Sequence, residues 1–137
     1  MSKNNTIISF LLVVFLSCEG GHLTDCKKCS PGEIGDVRLE IYLTSDKNYP
    51  SQFVVTIYEG VIEDSLLISR FTTQSAYCTF DAMLYKNYTV SAEFNLHGKH
   101  YILIDAACPQ LKYDETSCDE PCYFVYDNII DLRLRYH

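Results

Sequence analysis

No apolar run in this chain is long enough to cross a bilayer as a helix, which takes about twenty residues. Basic charge is also scarce. Lys and Arg number 11 against 18 Asp and Glu, and the formal net charge is −7. Phosphate binding needs a basic surface, so the balance argues against a nucleic-acid partner and for solubility. The motifs of common chemistries are missing too. There is no Gly-rich phosphate loop, no H-E-x-x-H and no G-x-S-x-G. Carboxylates are plentiful, yet no motif sets two of them as an acid and base pair. There is no low-complexity tract and no internal repeat. The expectation is a non-catalytic protein without cofactor or metal.

What is present begins at the N-terminus. Lys3 precedes the apolar stretch Ile7 to Leu16, interrupted only by Ser9. Its length and polarity are those of a secretory signal. The stretch ends in Phe15-Leu16-Ser17-Cys18, with Glu19-Gly20-Gly21 behind it. Small Ser17 directly before Cys18 resembles the lipobox of bacterial lipoproteins. Phe15 stands where Leu is usual, and Leu16 where a smaller residue is usual. The resemblance implies cleavage before Cys18 and a thioether from Cys18 to diacylglycerol. Two or more fatty chains anchor stably where one does not. Glu19 to Gly21 then reads as a flexible spacer. The alternative is a plain signal peptide cut nearby. The expected division is 1–17 signal peptide, 18–35 lipidated cysteine and tether, and 36–137 folded domain.

The chain has 7 cysteines. An odd count in an exported protein asks what the leftover one does. With Cys18 assigned to lipid, six remain: Cys26, Cys29, Cys78, Cys108, Cys118 and Cys122. An even set in an oxidising compartment reads as a disulfide framework. Zinc is the competing reading, because Cys26-Lys-Lys-Cys29 has ligand spacing and Cys118 and Cys122 complete four thiolates. The export signal favours disulfides. A thioredoxin-like role for Cys26 and Cys29 lacks the surrounding βαβ pattern.

Without the signal about 120 residues remain, enough for one domain with a sizeable core. "DVRLEIYLT" puts Val37, Leu39, Ile41 and Leu43 on one face, the alternation of a half-buried strand. "QFVVTIYEG" does the same with Phe53, Val55 and Ile57. "SLLISRFTT", "AYCTFDAM" and "HYILIDAAC" read as further strands. "NYTVSAEF" aligns Tyr88, Val90, Ala92 and Phe94, and "NLHGKH" is a turn around Gly98. "CPQLKYDETSCDEPC" reads as a long loop and "CYFVYDN" as a short strand. "IIDLRLRY" alternates Ile130, Leu132, Leu134 and Tyr136. A helical turn fits Asp81 to Lys86. About seven to eight short strands with turns between them predict an all-β sandwich.

"FDAMLYKNYTVSAEF" resembles the strand-loop-strand passage of immunoglobulin-like and transthyretin-like sandwiches. The resemblance implies that the Tyr88 hydroxyl closes the corner by bonding to backbone. The ending "CDEPCYFVYDNIIDLRLRY" resembles small lipoproteins typical of Bacteroides and its relatives, which implies a compartment and not a mechanism. In immunoglobulin-like sandwiches the last strand often runs parallel beside the first. That would bring Cys26 and Cys29 to Cys118 and Cys122 at one end, and leave Cys78 to pair with Cys108. Local bridges, Cys26 with Cys29 and Cys118 with Cys122, are the rival arrangement.

Other groups have plain readings beside sharper ones. His97 and His100 flank a turn and read as a solvated hairpin tip before a metal site. His22 and His137 lie near the termini. Asp114, Glu115, Asp119 and Glu120 read as a solvated acidic loop before a calcium site. Tyr42 and Tyr58 lie opposite their strands' most apolar rows. They either cover the second face of a sheet or form a partner- or sugar-binding surface. The sequon at Asn87-Tyr88-Thr89 has no such meaning in a bacterial lipoprotein.

The expected protein is thus anchored to a membrane through lipid on Cys18, in a bacterial cell envelope and on the outer membrane. Its sandwich serves as a structural or protein-interaction module. A glycan-binding surface lipoprotein of polysaccharide uptake or adhesion is the alternative.

Overall fold

The computed structural model describes residues 25–32, 34–45, 52–61, 63 and 66–135. Cys18, the segment read as a signal peptide, His22, Tyr136 and His137 lie outside the described residues. The fold is all-β. Among the described residues, nine strands follow in chain order: β1 Val37–Leu43, β2 Phe53–Glu59, β3 Leu66–Thr73, β4 Tyr77–Ala82, β5 Tyr88–Leu96, β6 Lys99–Ala107, β7 Gln110–Asp114, β8 Cys122–Tyr126 and β9 Ile129–Leu132. They form a sheet β4-β1-β9, a sheet β3-β2-β5-β6 and a hairpin β7-β8.

The first two sheets share one core. Leu39, Ile41, Leu43, Ile130 and Leu132 from one meet Phe53, Val55, Ile57, Val90, Ala92 and Phe94 from the other. Strand side chains alternate between faces, so each apolar row reaches this core without a polar residue intruding. Phe53 and Phe94 pack ring to ring at 4.9 Å, and Phe94 stacks on Tyr101 at 5.5 Å. β1 is central in its sheet, antiparallel to β4 and parallel to β9. Asp105 of β6 accepts from the Asp131 amide at 2.9 Å, which joins the two sheets along one side. On the opposite edge β3 carries a bulge against Ile57 and Tyr58 and leaves Leu66 and Leu67 exposed.

Two expectations need correction. The segment read as a long loop contains β7, paired with β8 from Gln110↔Tyr126 to Asp114↔Cys122. Its polar composition hid it, because neither face of this small hairpin is a full core face. The stretch Asp81 to Lys86 is no helical turn. β4 runs on to Ala82, and the chain turns through Tyr85 at φ 61°. Upstream of β1, the residues Asp25 to Ser30 are joined to the β7-β8 hairpin. A short 3-10 turn spans Cys26–Lys28, capped by the Asp25 carboxylate. Ser30 then bridges Tyr123 with two backbone hydrogen bonds of 2.8 and 2.7 Å.

Candidate functional site

Four of the cysteines meet upstream of β1. Cys26 bonds to Cys118 and Cys29 to Cys122, with Cα separations of 5.7 and 5.5 Å. Local bridges within each cluster are not formed. Cys78 and Cys108 are free thiols, so the expected third bond is absent. The reason is distance along β4. Cys108 lies where β4 ends, beside the Tyr85 amide that donates to the Pro109 carbonyl at 2.7 Å. Cys78 sits opposite Ile41, four residues back from Ala82, about 13 Å at the strand rise. A disulfide needs Cα atoms within about 7 Å. Cys78 packs against the core instead, and burial pushes its thiol pKa up.

The tyrosines singled out by the sequence fall on opposite outer faces of the sandwich. Tyr58 of β2 stands beside Leu67 and Thr89. Tyr42 of β1 faces out from the β4-β1-β9 sheet. There the register sets Tyr42 between Tyr77 of β4 and Asp131 of β9. Tyr77 alternates with core-facing Cys78 and so shares the outer face with Tyr42, a partnership that only the strand register discloses.

Side chains fix this surface tightly. The Tyr42 and Tyr77 rings lie 5.2 Å apart, inclined by 53°. The Tyr42 hydroxyl donates to Glu40 at 3.0 Å. From the other flank the Arg133 guanidinium stands 5.3 Å from the centre of the Tyr42 ring. Arg133 is held in turn by two 2.7 Å bonds to Asp131, one to each carboxylate oxygen. Arg135 adds a further contact to Asp131 at 3.2 Å. A second pair, Arg38 and Asp81, closes the face toward the start of β1 at 3.1 Å.

The electrostatics follow from these contacts. Hydrogen bonds from Arg133 hold the Asp131 carboxyl below the usual carboxylate range, and the same pairing raises Arg133. The bond to Glu40 raises the Tyr42 phenol, so Tyr42 stays protonated at neutral pH and acts as a donor. Tyr77 is 45% exposed and Ile129 is 54% exposed on the same face. The arrangement offers aromatic area, a fixed guanidinium and fixed carboxylates, which is equipment for recognition.

The remaining groups take their plain readings. His97 and Gly98, at φ 50° and 74°, form the two-residue turn between paired Leu96 and Lys99. Positive φ at both positions is the hairpin turn that matches strand twist. His100 contacts Asn95 across the strands at 3.1 Å. Asp114 accepts from the Thr116 and Ser117 amides at 2.9 Å each and so organises its own loop. Among the described residues, the one cluster of three or more possible metal ligands is Cys29, Cys118 and Cys122. Comparison with protein-family models, with curated proteins and with solved structures finds no match.

Proposed function

We propose that this chain is a non-catalytic, lipid-anchored protein of a bacterial cell envelope that binds a protein partner through the outer face of β4-β1-β9. The lipid reading rests on Ser17-Cys18 after the apolar stretch. Cysteine parity no longer supports it, because Cys78 and Cys108 are both free. An immunoglobulin-like or transthyretin-like type for the sandwich is supported by the parallel β1 and β9 pair and by the bond between Tyr88 and the Met83 amide.

The observation that carries the partner reading is the Tyr77-Tyr42-Arg133 row. Tyr and Arg are the residues enriched at the energetic centres of protein interfaces. Tyr42 lies five residues along β1 from Val37, about 17 Å. A lipid at the N-terminus would therefore hold this row away from the membrane. The row fits the glycan alternative less well. A sugar ring stacks best on a bare aromatic face, whereas Tyr42 is flanked by an inclined Tyr77 ring and by Arg133.

Affinity purification from native membranes tests the reading. Wild-type protein should retain an envelope protein that Tyr77→Ala combined with Arg133→Ala loses. Retention on a glycan array, lost in the same variant, would favour the glycan alternative. Persistence of a palmitate-analogue label in Cys18→Ala would refute the anchor.

A further inference from the structure

We infer that the four cysteines at the base of the sandwich form a second site: when both disulfides are reduced, Cys26, Cys29, Cys118 and Cys122 bind one zinc-like divalent cation as a tetrathiolate. The oxidised and reduced chains then use the same four residues to hold the same two segments together.

The geometry is the argument. The sulfurs of Cys29, Cys118 and Cys122 all lie within 4.8 Å of one another. The fourth sulfur, on Cys26, is bonded to that of Cys118. Three sulfurs thus share one spot and the fourth is attached to one of them, although the bonded residues are 92 and 93 positions apart in sequence. Tetrahedral zinc with Zn–S near 2.3 Å requires sulfurs about 3.8 Å apart. Opening each disulfide and rotating the side chains brings the Cys29, Cys118 and Cys122 sulfurs to that spacing with shifts of about one ångström, and the freed Cys26 sulfur swings in beside Cys118 by a larger rotation. The Ser30–Tyr123 backbone bridge holds the two segments beside each other independently of any sulfur bond.

The surroundings suit a cation. Cys122 is 5% exposed while Cys26 stands open to solvent, which gives one sheltered wall and one entry side. Asp119 and Glu120 line the same depression and attract a divalent ion. A tetrathiolate zinc centre carries a net charge of −2, and Lys27 and Lys28 lie between two of its ligands to offset it.

The chemistry balances with a dithiol as reductant. Each protein disulfide takes two electrons and two protons from one dithiol, which leaves as its own cyclic disulfide. One Zn²⁺ then displaces the four thiol protons. Uptake is therefore proton-releasing and stronger at higher pH.

The test uses the full chain in detergent, reduced without oxygen, and titrated with Co²⁺ and then Zn²⁺. One equivalent of Co²⁺ should give sulfur-to-cobalt charge-transfer absorption with the visible bands of tetrahedral cobalt. Equimolar Zn²⁺ should abolish both. Cys29→Ser with Cys122→Ser should lose the spectrum, and Cys78→Ser with Cys108→Ser should keep it. Zn²⁺ should also raise the β-sheet circular dichroism of the reduced chain. A reduced wild-type chain that shows no thiolate-cobalt spectrum, folded or not, overturns the inference. So does a spectrum that survives in Cys29→Ser with Cys122→Ser.

Discussion

The backbone amide of Met83 donates to the hydroxyl oxygen of Tyr88 at 2.9 Å. Tyr88 is buried at the start of β5, with its ring 6.4 Å from Phe80 of β4. One side chain thus ties the end of a strand in one sheet to the start of a strand in the other, across the turn at Tyr85. Tyr88→Phe keeps the ring and removes the acceptor. It should lower stability by about 1 kcal/mol, the net worth of one such bond. Urea unfolding measures this, and an unmoved midpoint would show that the ring alone holds the corner.

Neighbours on β1 should respond differently. Ile41 is wholly buried between the sheets, and Tyr42 faces outward. Ile41→Ala leaves a cavity and should cost about 2 to 5 kcal/mol. Tyr42→Ala removes the contacts with Tyr77 and Arg133 but opens no cavity, and should cost less than half as much. Similar losses at both positions would mean that the face over Tyr42 is covered by something else.

Much of this was legible because strand alternation is local. Every residue placed inward in the rows Val37 to Leu43 and Tyr88 to Phe94 is buried. Pairing across strands is not local. The meeting of Tyr42 with Tyr77 depends on the β1–β4 register, and the separation of Cys78 from Cys108 depends on where β4 ends. Strand β7 escaped notice because it is held by its partner β8, which is itself fixed by bonds to distant residues. Cys122 bonds to Cys29, and Tyr123 bridges Ser30. The row Tyr77-Tyr42-Arg133 left a faint trace only, in tyrosines at positions that alternate with core residues.

Acid should reach the Asp114 loop late. Hydrogen bonds from Ser117 and Thr116 lower the Asp114 pKa to about 2. A carboxylate with a depressed folded pKa adds stability that is complete above the unfolded value, about 3.9, and fades as pH falls through the folded one. The loop should therefore keep its geometry down to pH near 3. Carboxyl-carbon NMR should give Asp114 a midpoint well below an ordinary aspartate. Ser117→Ala should move that midpoint upward, since the Ser117 side chain is the largest cause. An ordinary midpoint in the wild type would deny these hydrogen bonds.

The two disulfides should not contribute independently. Each alone would close a loop of 92 or 93 residues, which chain-entropy reasoning values at about 4.7 kcal/mol. Once one is present, the other closes a ring of only about ten residues, worth about 2.5 to 3 kcal/mol. Removing the Cys29–Cys122 pair by serine substitution should therefore cost only the smaller amount, because Cys26–Cys118 still pins the N-terminal segment to the β7-β8 loop. The converse removal should cost the same. Replacing all four cysteines should cost about 7 kcal/mol, more than the sum of the two single-pair losses. That excess, about 2 kcal/mol, is the long-loop closure less one small-ring closure, because either bond supplies the long loop and only the joint variant gives it up. Urea unfolding under non-reducing conditions, with Cys78 and Cys108 changed to Ser throughout to prevent exchange, measures all three losses. Strict additivity would mean that the Ser30–Tyr123 bridge already holds the two segments together in the unfolded chain.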